Sequence, residues 1–189
     1  MEARNRSLGD WFTRVRTGQV LLPRFQRHEA WGHREITALV ESVLRGLPTG
    51  AALTLEIGDN EPFFARPLVG APDPTERVTE HLLDGQQRLT ALWRSLHDDY
   101  DDRVYLIDTG DAADPDGESI VSVRSEPTHH KNGSRYPLWL DNPAECWKRG
   151  LIPLALCRPG APVAAIDQWV DDATTEQGQD PRALDRAIN

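Results

Sequence analysis

The chain has 189 residues, a formal net charge of −9, and a composition of 39% hydrophobic and 27% charged residues. That is enough chain and apolar content for one domain with a sizeable core, or a domain plus a helical appendage. It excludes a membrane-spanning helix, because no apolar run approaches span length, and the acidic balance excludes a broad duplex-binding face, which needs several clustered cations.

The start, Met1-Glu2-Ala3-Arg4-Asn5-Arg6, leads into no apolar signal core, so the cytoplasm is the expected compartment. Cys146 and Cys157 are the only cysteines and lack metal-ligand spacing; they read as packing residues rather than a disulfide framework or zinc site. Arginines concentrate early, at Arg4, Arg6, Arg14, Arg16, Arg24, Arg27 and Arg34, whereas Asp98 to Glu118 is strongly acidic. Any nucleic-acid contact should therefore be local.

Ser7 precedes Leu8, Trp11, Phe12 and Val15 at helical spacing, which predicts a short capped helix from Leu8 to Val15. Val20-Leu21-Leu22 reads as a strand ended by Pro23, which holds Arg24 to Arg27 in a loop. Ile36, Leu39, Val40, Val43 and Leu44 form one stripe, giving a helix from His33 to Arg45 that Gly46 stops. Pro48-Thr49-Gly50 turns the chain into a strand over Ala51 to Ile57, followed by a turn at Gly58-Asp59-Asn60. Phe63 to Val69 is a strand or a covering loop, and Val78 to Leu83 is a strand.

Leu89, Leu92, Trp93 and Leu96 mark the buried stripe of the next helix. Arg103 to Ile107 and Ser119 to Val123 read as strands around an acidic, solvated loop. Glu126 to Arg135 is polar and turn-rich, and Tyr136-Pro137-Leu138-Trp139-Leu140 reads as an edge strand because proline disfavours a central place. Short helices follow at Pro143 to Arg149 and Val163 to Asp172. Residues 1–160 are expected to form the main domain, with 161–189 starting a helical extension that is cut short.

The most informative stretch runs from Leu82 to Trp93, where an apolar strand breaks at Asp84-Gly85 and a helix begins under Gln86, Gln87 and Arg88. Asp84 and Gln87 stand at capping-box spacing. Arg88 in a first helical turn opposes the macrodipole, so it calls for a bound anion; phosphate accepts from helix-start N–H groups and pairs bidentately with a guanidinium. Gly85 permits close approach of backbone and ligand. The plain alternative is a well-capped structural helix with Arg88 in solvent. No Gly-rich loop with a Lys-Ser/Thr pair occurs, which excludes an ordinary P-loop enzyme.

These residues resemble the GmrSD-type restriction endonuclease N-terminal domain, the DGQQR family within the ParB/sulfiredoxin-like superfamily. The resemblance rests on Leu22-Pro23-Arg24-Phe25-Gln26-Arg27 followed by Trp31, on Ser42 to Gly50, and on Leu83 to Leu92. It implies an α/β fold with a small mixed sheet and flanking helices, and a nucleotide-binding, NTP-hydrolysing regulatory role in a modification-dependent restriction system. The implied partners are a nucleoside triphosphate with Mg²⁺, DNA, and an HNH-type nuclease domain or subunit. A noncatalytic DNA-sensing or protein-interaction module using the same anion pocket is the alternative. A sulfiredoxin-like reductase is excluded, since Gln86-Gln87 stand where that chemistry needs a cysteine.

On this basis Arg24, Gln26, Arg27, Gly85 and Arg88 are the expected phosphate-binding residues, with Phe25 or Trp31 walling the pocket. Asp84 is the expected Mg²⁺ ligand, and Gln86 or Gln87 the residue orienting the attacking water. Each has a structural counter-reading: Asp84 as a cap, a glutamine in the capping box, an arginine in a surface ion pair, Phe25 and Trp31 in the core. His129-His130 with Asn132 faintly resembles an HNH metal site, but no later histidine closes it, so cleavage by this chain alone is not expected.

Overall fold

The computed structural model describes residues 4–110 and 122–175. Ser7 opens helix α1, Leu8–Thr17, as expected: its hydroxyl accepts from the Asp10 amide, while the Asp10 carboxylate accepts from the Ser7 amide, a complete capping box. Gly18 closes the helix in the left-handed region at φ 82°. Strand β1, Val20–Pro23, follows, and helix α2 runs over His33–Leu44, burying Ile36, Leu39 and Val40.

Two more strands, β2 at Leu53–Glu56 and β3 at Ala65–Arg66, precede β4 at Glu80–Asp84. These build a four-stranded sheet in the order β2-β4-β1-β3, in which β1 and β4 are parallel and the two edge pairings antiparallel. The expected mixed sheet is present. Helix α3, Gln86–Leu96, leaves the end of β4 after one residue.

The second half forms a three-stranded antiparallel sheet, β6-β5-β9, from β5 (Arg103–Asp108), β6 (Ser122–Pro127) and β9 (Leu151–Pro153). Strand β5 is buried on both faces because its alternating residues serve different cores. Tyr105 and Ile107 join the main core with Phe12, Leu22, Leu82, Trp93 and Ile152, whereas Val104 and Leu106 pack with Leu140 and Leu151. Helix α4, Pro143–Lys148, is capped by Asn142, and α5, Val163–Thr175, packs against it.

Two expectations in this half are corrected. The stretch read as merely turn-rich contains a hairpin, β7 (His129–Lys131) and β8 (Ser134–Tyr136). Its two-residue turn is Asn132-Gly133, both at positive φ (53° and 78°), the sequence signal that primed hairpin turns demand. The expected edge strand over 136–140 is instead a 3₁₀ turn at Leu138–Asp141, with Pro137 following a cis peptide. The strand expected at Ser119 to Val123 begins at Ser122, its first residues lying outside the described chain.

Both cysteines are free, and burial pushes the Cys146 thiol up to about 11. That suits the packing role expected of it. Among the described residues, no helix is long and apolar enough to cross a membrane.

Candidate functional site

The strand-to-helix junction is built differently from the expected capping box. Gly85, not Asp84, is the N-cap residue, at φ 94° and ψ 4°, and no side chain caps the helix. The left-handed conformation explains why glycine stands there, since a Cβ would also lie 3.2 Å from that of Ala52. The first-turn N–H groups of α3 thus have neither an intrahelical acceptor nor a side-chain cap.

Gln87, expected to reach back to the cap, turns outward. Its Nε2 donates to the His28 carbonyl at 3.2 Å, and its Oε1 accepts from the Ala30 amide at 2.8 Å. Gln86 is buried, with Nε2 donating to the Arg27 carbonyl at 2.7 Å. From the opposite side, Gln26 Nε2 donates to the Leu82 and Leu83 carbonyls at 2.6 and 3.0 Å. Three glutamine amides therefore clasp the 24–30 loop to the β4–α3 junction. A glutamine suits this task because one planar amide both donates and accepts, so it pairs with loop backbone that has no ladder partner.

Arg88 is also held. Its Nη1 donates to the Thr49 carbonyl at 2.8 Å and Nη2 to the Ala51 carbonyl at 2.6 Å, with the Asp84 carboxylate 3.5 Å away. The expectation that Arg88 awaits an anion to become paired is corrected: three acceptors already surround it. Its place explains Gly50 (φ 97°), where a Cβ would fall 2.6 Å from Arg88 Nη1. Gly50→Ala should cost about 1–3 kcal/mol through a strained φ and a displaced guanidinium; a melting curve unchanged from the parent protein would contradict this placement.

The three sequence blocks, around Pro23 to Arg27, Pro48 to Gly50 and Asp84 to Arg88, are thus one another's bonding partners. A fourth contributor had no local signal. The Glu29 carboxylate accepts from Tyr100 Oη at 2.6 Å and pairs with Arg94 of α3, whose guanidinium also lies 4.0 Å over the Tyr100 ring and bonds to Asp99. Burial, then the hydrogen bond to Glu29 and its charge, pushes the Tyr100 phenol well above its ordinary value. This group anchors the far end of the loop, and only the fold brings residues so distant in sequence together.

What remains outward is distinct. Asp84 is exposed, its side chain 73% accessible. Arg24 and Arg27 are exposed, and among the described residues their guanidiniums meet no carboxylate. Neither aromatic candidate walls an enclosed pocket: Trp31 packs against the main core, whereas Phe25 is 68% exposed.

A family profile for the GmrSD restriction endonuclease N-terminal domain matches residues 8–146. The chain belongs to that family. The match runs from the start of α1 into α4, so it takes in the clasped loop, the junction and strands β5 and β6 of the second sheet, but not β9. An uncharacterized protein, MJ0686, of Methanocaldococcus jannaschii is 34% identical over 98 residues, covering 49% of this chain. The aligned stretch spans only 17% of that relative.

Elsewhere in this GmrSD-family domain, His129 stacks on Tyr136 and His130 lines a cleft of about 390 Å³ beside Asp98, Tyr100 and Arg135. Among the described residues no group of three His, Cys, Asp or Glu side chains could hold a metal ion.

Proposed function

We propose that this chain is the nucleotide-binding, NTP-hydrolysing regulatory domain of a modification-dependent restriction system. A single observation carries the reading: helix α3 starts without a side-chain cap, directly after a left-handed glycine and beside a fixed guanidinium. Such a start presents backbone N–H groups and the positive end of the helix to an anion. The clasp keeps Arg24 and Arg27 on the adjoining loop, where they add the charge that a triphosphate requires.

In this reading Arg88 contributes through its remaining N–H groups while its bonds to Thr49 and Ala51 fix its direction. Asp84, exposed and facing Arg88 at 3.5 Å, is the side chain that would share Mg²⁺ with phosphate oxygens and water. The ion would neutralise developing charge on the transferred phosphoryl group. An HNH-type nuclease partner would supply DNA cleavage, with the nucleotide state of this domain as the control.

The glutamines favour a second reading. Both motif amides are bonded to the 27–30 backbone, so in this arrangement neither orients an attacking water. A noncatalytic module that binds an anion, including a DNA phosphate, needs no such residue.

Titration calorimetry with each NTP and Mg²⁺, followed by turnover assays, tests the first reading. Asp84→Asn is the more informative variant, because an exposed carboxylate bears little on folding; it should lower turnover at least 10-fold, a loss of about 1.4 kcal/mol in transition-state binding. Arg88→Ala should weaken nucleotide binding as well. Unchanged binding and turnover in both variants would exclude the assigned roles.

A further inference from the structure

We propose that the outer face of the four-stranded sheet, beside the clasped loop, seats unpaired bases of single-stranded nucleic acid. Phe25 and Phe64 serve as stacking platforms, and Arg24 and Arg27 take the flanking phosphates. Phe64 is 86% exposed and Phe25 68%, with Phe63 at 37% and Leu53 and Leu55 of β2 at 42% and 36%. Single exposed apolar residues are ordinary, but Phe25 and Phe63 touch and Phe64 follows directly, so exposed rings gather where the loop after β1 meets the segment before β3.

The platform has a firm backing. Register places Leu21 and Leu55 on the same face of the sheet as His81, which lies between them. His81 is fully buried and bonded to Glu61 at 3.0 Å; the Phe63 ring lies 5.8 Å from its ring, and Phe25 packs edge-on against Phe63 at 5.2 Å. The Arg24 amide donates to the Phe64 carbonyl at 2.8 Å, so the two ring-bearing segments are tied together. The rings are thus presented by fixed backbone, which suits a flat ligand.

Charge selects the occupant. Of the carboxylates on the neighbouring segments, Glu29 pairs with Arg94, Glu61 is hydrogen-bonded to His81, and Asp84 lies 3.5 Å from Arg88. Arg24 and Arg27 meet no carboxylate among the described residues, so the loop beside the rings carries two unpaired guanidiniums on a chain of net charge −9. Aromatic faces interleaved with unpaired guanidiniums fit a polyanion carrying exposed bases better than an apolar polypeptide. A duplex offers no free base face, so it should bind less well. This inference shares Arg24 and Arg27 with the proposed nucleotide site but does not require hydrolysis, and its test runs through the phenylalanines.

The experiment is fluorescence anisotropy of a labelled oligothymidylate of about 12 nucleotides, within the usual site size for such surfaces. The 189-residue chain is titrated without nucleotide, against a duplex of equal length. The single strand should bind more tightly than the duplex, and Phe64→Ala and Phe25→Ala should each weaken it by about 5- to 100-fold. Arg24→Gln with Arg27→Gln should flatten the salt dependence of log affinity by about 1.4, as expected for two lost single-strand phosphate contacts. Phe64→Ala should leave NTP affinity unchanged, so loss of strand binding in a variant that binds NTP normally separates the two proposals. Absence of strand binding, equal binding of duplex, or phenylalanine variants that bind like the parent would overturn the inference. So would a Phe64→Ala effect confined to self-association in sedimentation, which would make the face a protein interface.

Discussion

Glu80→Ala should lower the unfolding free energy by about 2–3 kcal/mol, the cost of losing a buried carboxylate and leaving two part-buried guanidiniums without their partner. Glu80 sits on β4 with its side chain only 6% exposed, and its two oxygens accept from Arg6 at 2.8 and 2.9 Å and from Arg14 at 3.1 Å. Arg6 is itself 14% exposed and lies 4.5 Å over the Trp11 ring, so its charge cannot simply return to solvent. The carboxylate thus joins β4, α1 and the segment before α1. Urea denaturation with an unchanged slope would give the loss directly; a change below about 0.5 kcal/mol would make the cluster equivalent to a surface pair.

The same group predicts an acid limb of stability. Burial alone would raise the Glu80 pKa, but the hydrogen bond and charge of Arg6, with the charge of Arg14, outweigh it and hold the group below its ordinary 4.5. A folded-state pKa below the unfolded one means that the unfolded chain binds the proton more readily. The stabilisation is therefore complete above about pH 4.5 and is lost as pH falls from there through the folded-state value. In Glu80→Gln this part of the acid limb should disappear, so its melting temperature should fall less steeply with acid than that of the parent.

Trp93→Ala should cost about 3–5 kcal/mol, the range for removing a large buried aromatic from a core. The ring is 2% exposed, meets Phe12 of α1 edge-on at 5.0 Å, and stacks on His97 at 4.0 Å. This contact fixes α3 against α1, and with it the helix that carries Gln86 to Arg88. Trp93→Phe should cost much less, since the indole Nε1 is buried with no hydrogen-bond partner among the described residues and its removal relieves that penalty. Denaturation of the pair, with far-UV circular dichroism to confirm the helix, checks both; equal losses would contradict the smaller cost expected for Trp93→Phe.

The helix start near Gly85 was legible in the sequence, yet the residues around it were assigned the wrong bonds. Asp84 and Gln87 have capping-box spacing, and spacing cannot reveal that unpaired carbonyls and amides of a loop some sixty residues earlier lie within reach of the same amides. Those groups are available as partners because the loop backbone at His28 and Ala30 belongs to no strand or helix ladder. Arg88 shows the same limit: a cation at a helix N-terminus does point to an acceptor, but the acceptors are the Thr49 and Ala51 carbonyls and Asp84. The Asn132-Gly133 hairpin differs in kind, for its turn signal was present and local.

By itself the sequence determined the elements whose causes are local: the Ser7 cap, the apolar stripes of α1, α2 and α3, the break at Asp84-Gly85, and the three blocks that carry the family. Periodicity and turn chemistry act over a few residues, so they can be read without knowing the fold. Only the tertiary structure decided that the blocks bond to one another, that Gly50 makes room for Arg88, and that Glu29, Arg94 and Tyr100 close the loop. These are meetings of side chains with distant backbone, and which donors find which acceptors is settled only when packing excludes water from between them.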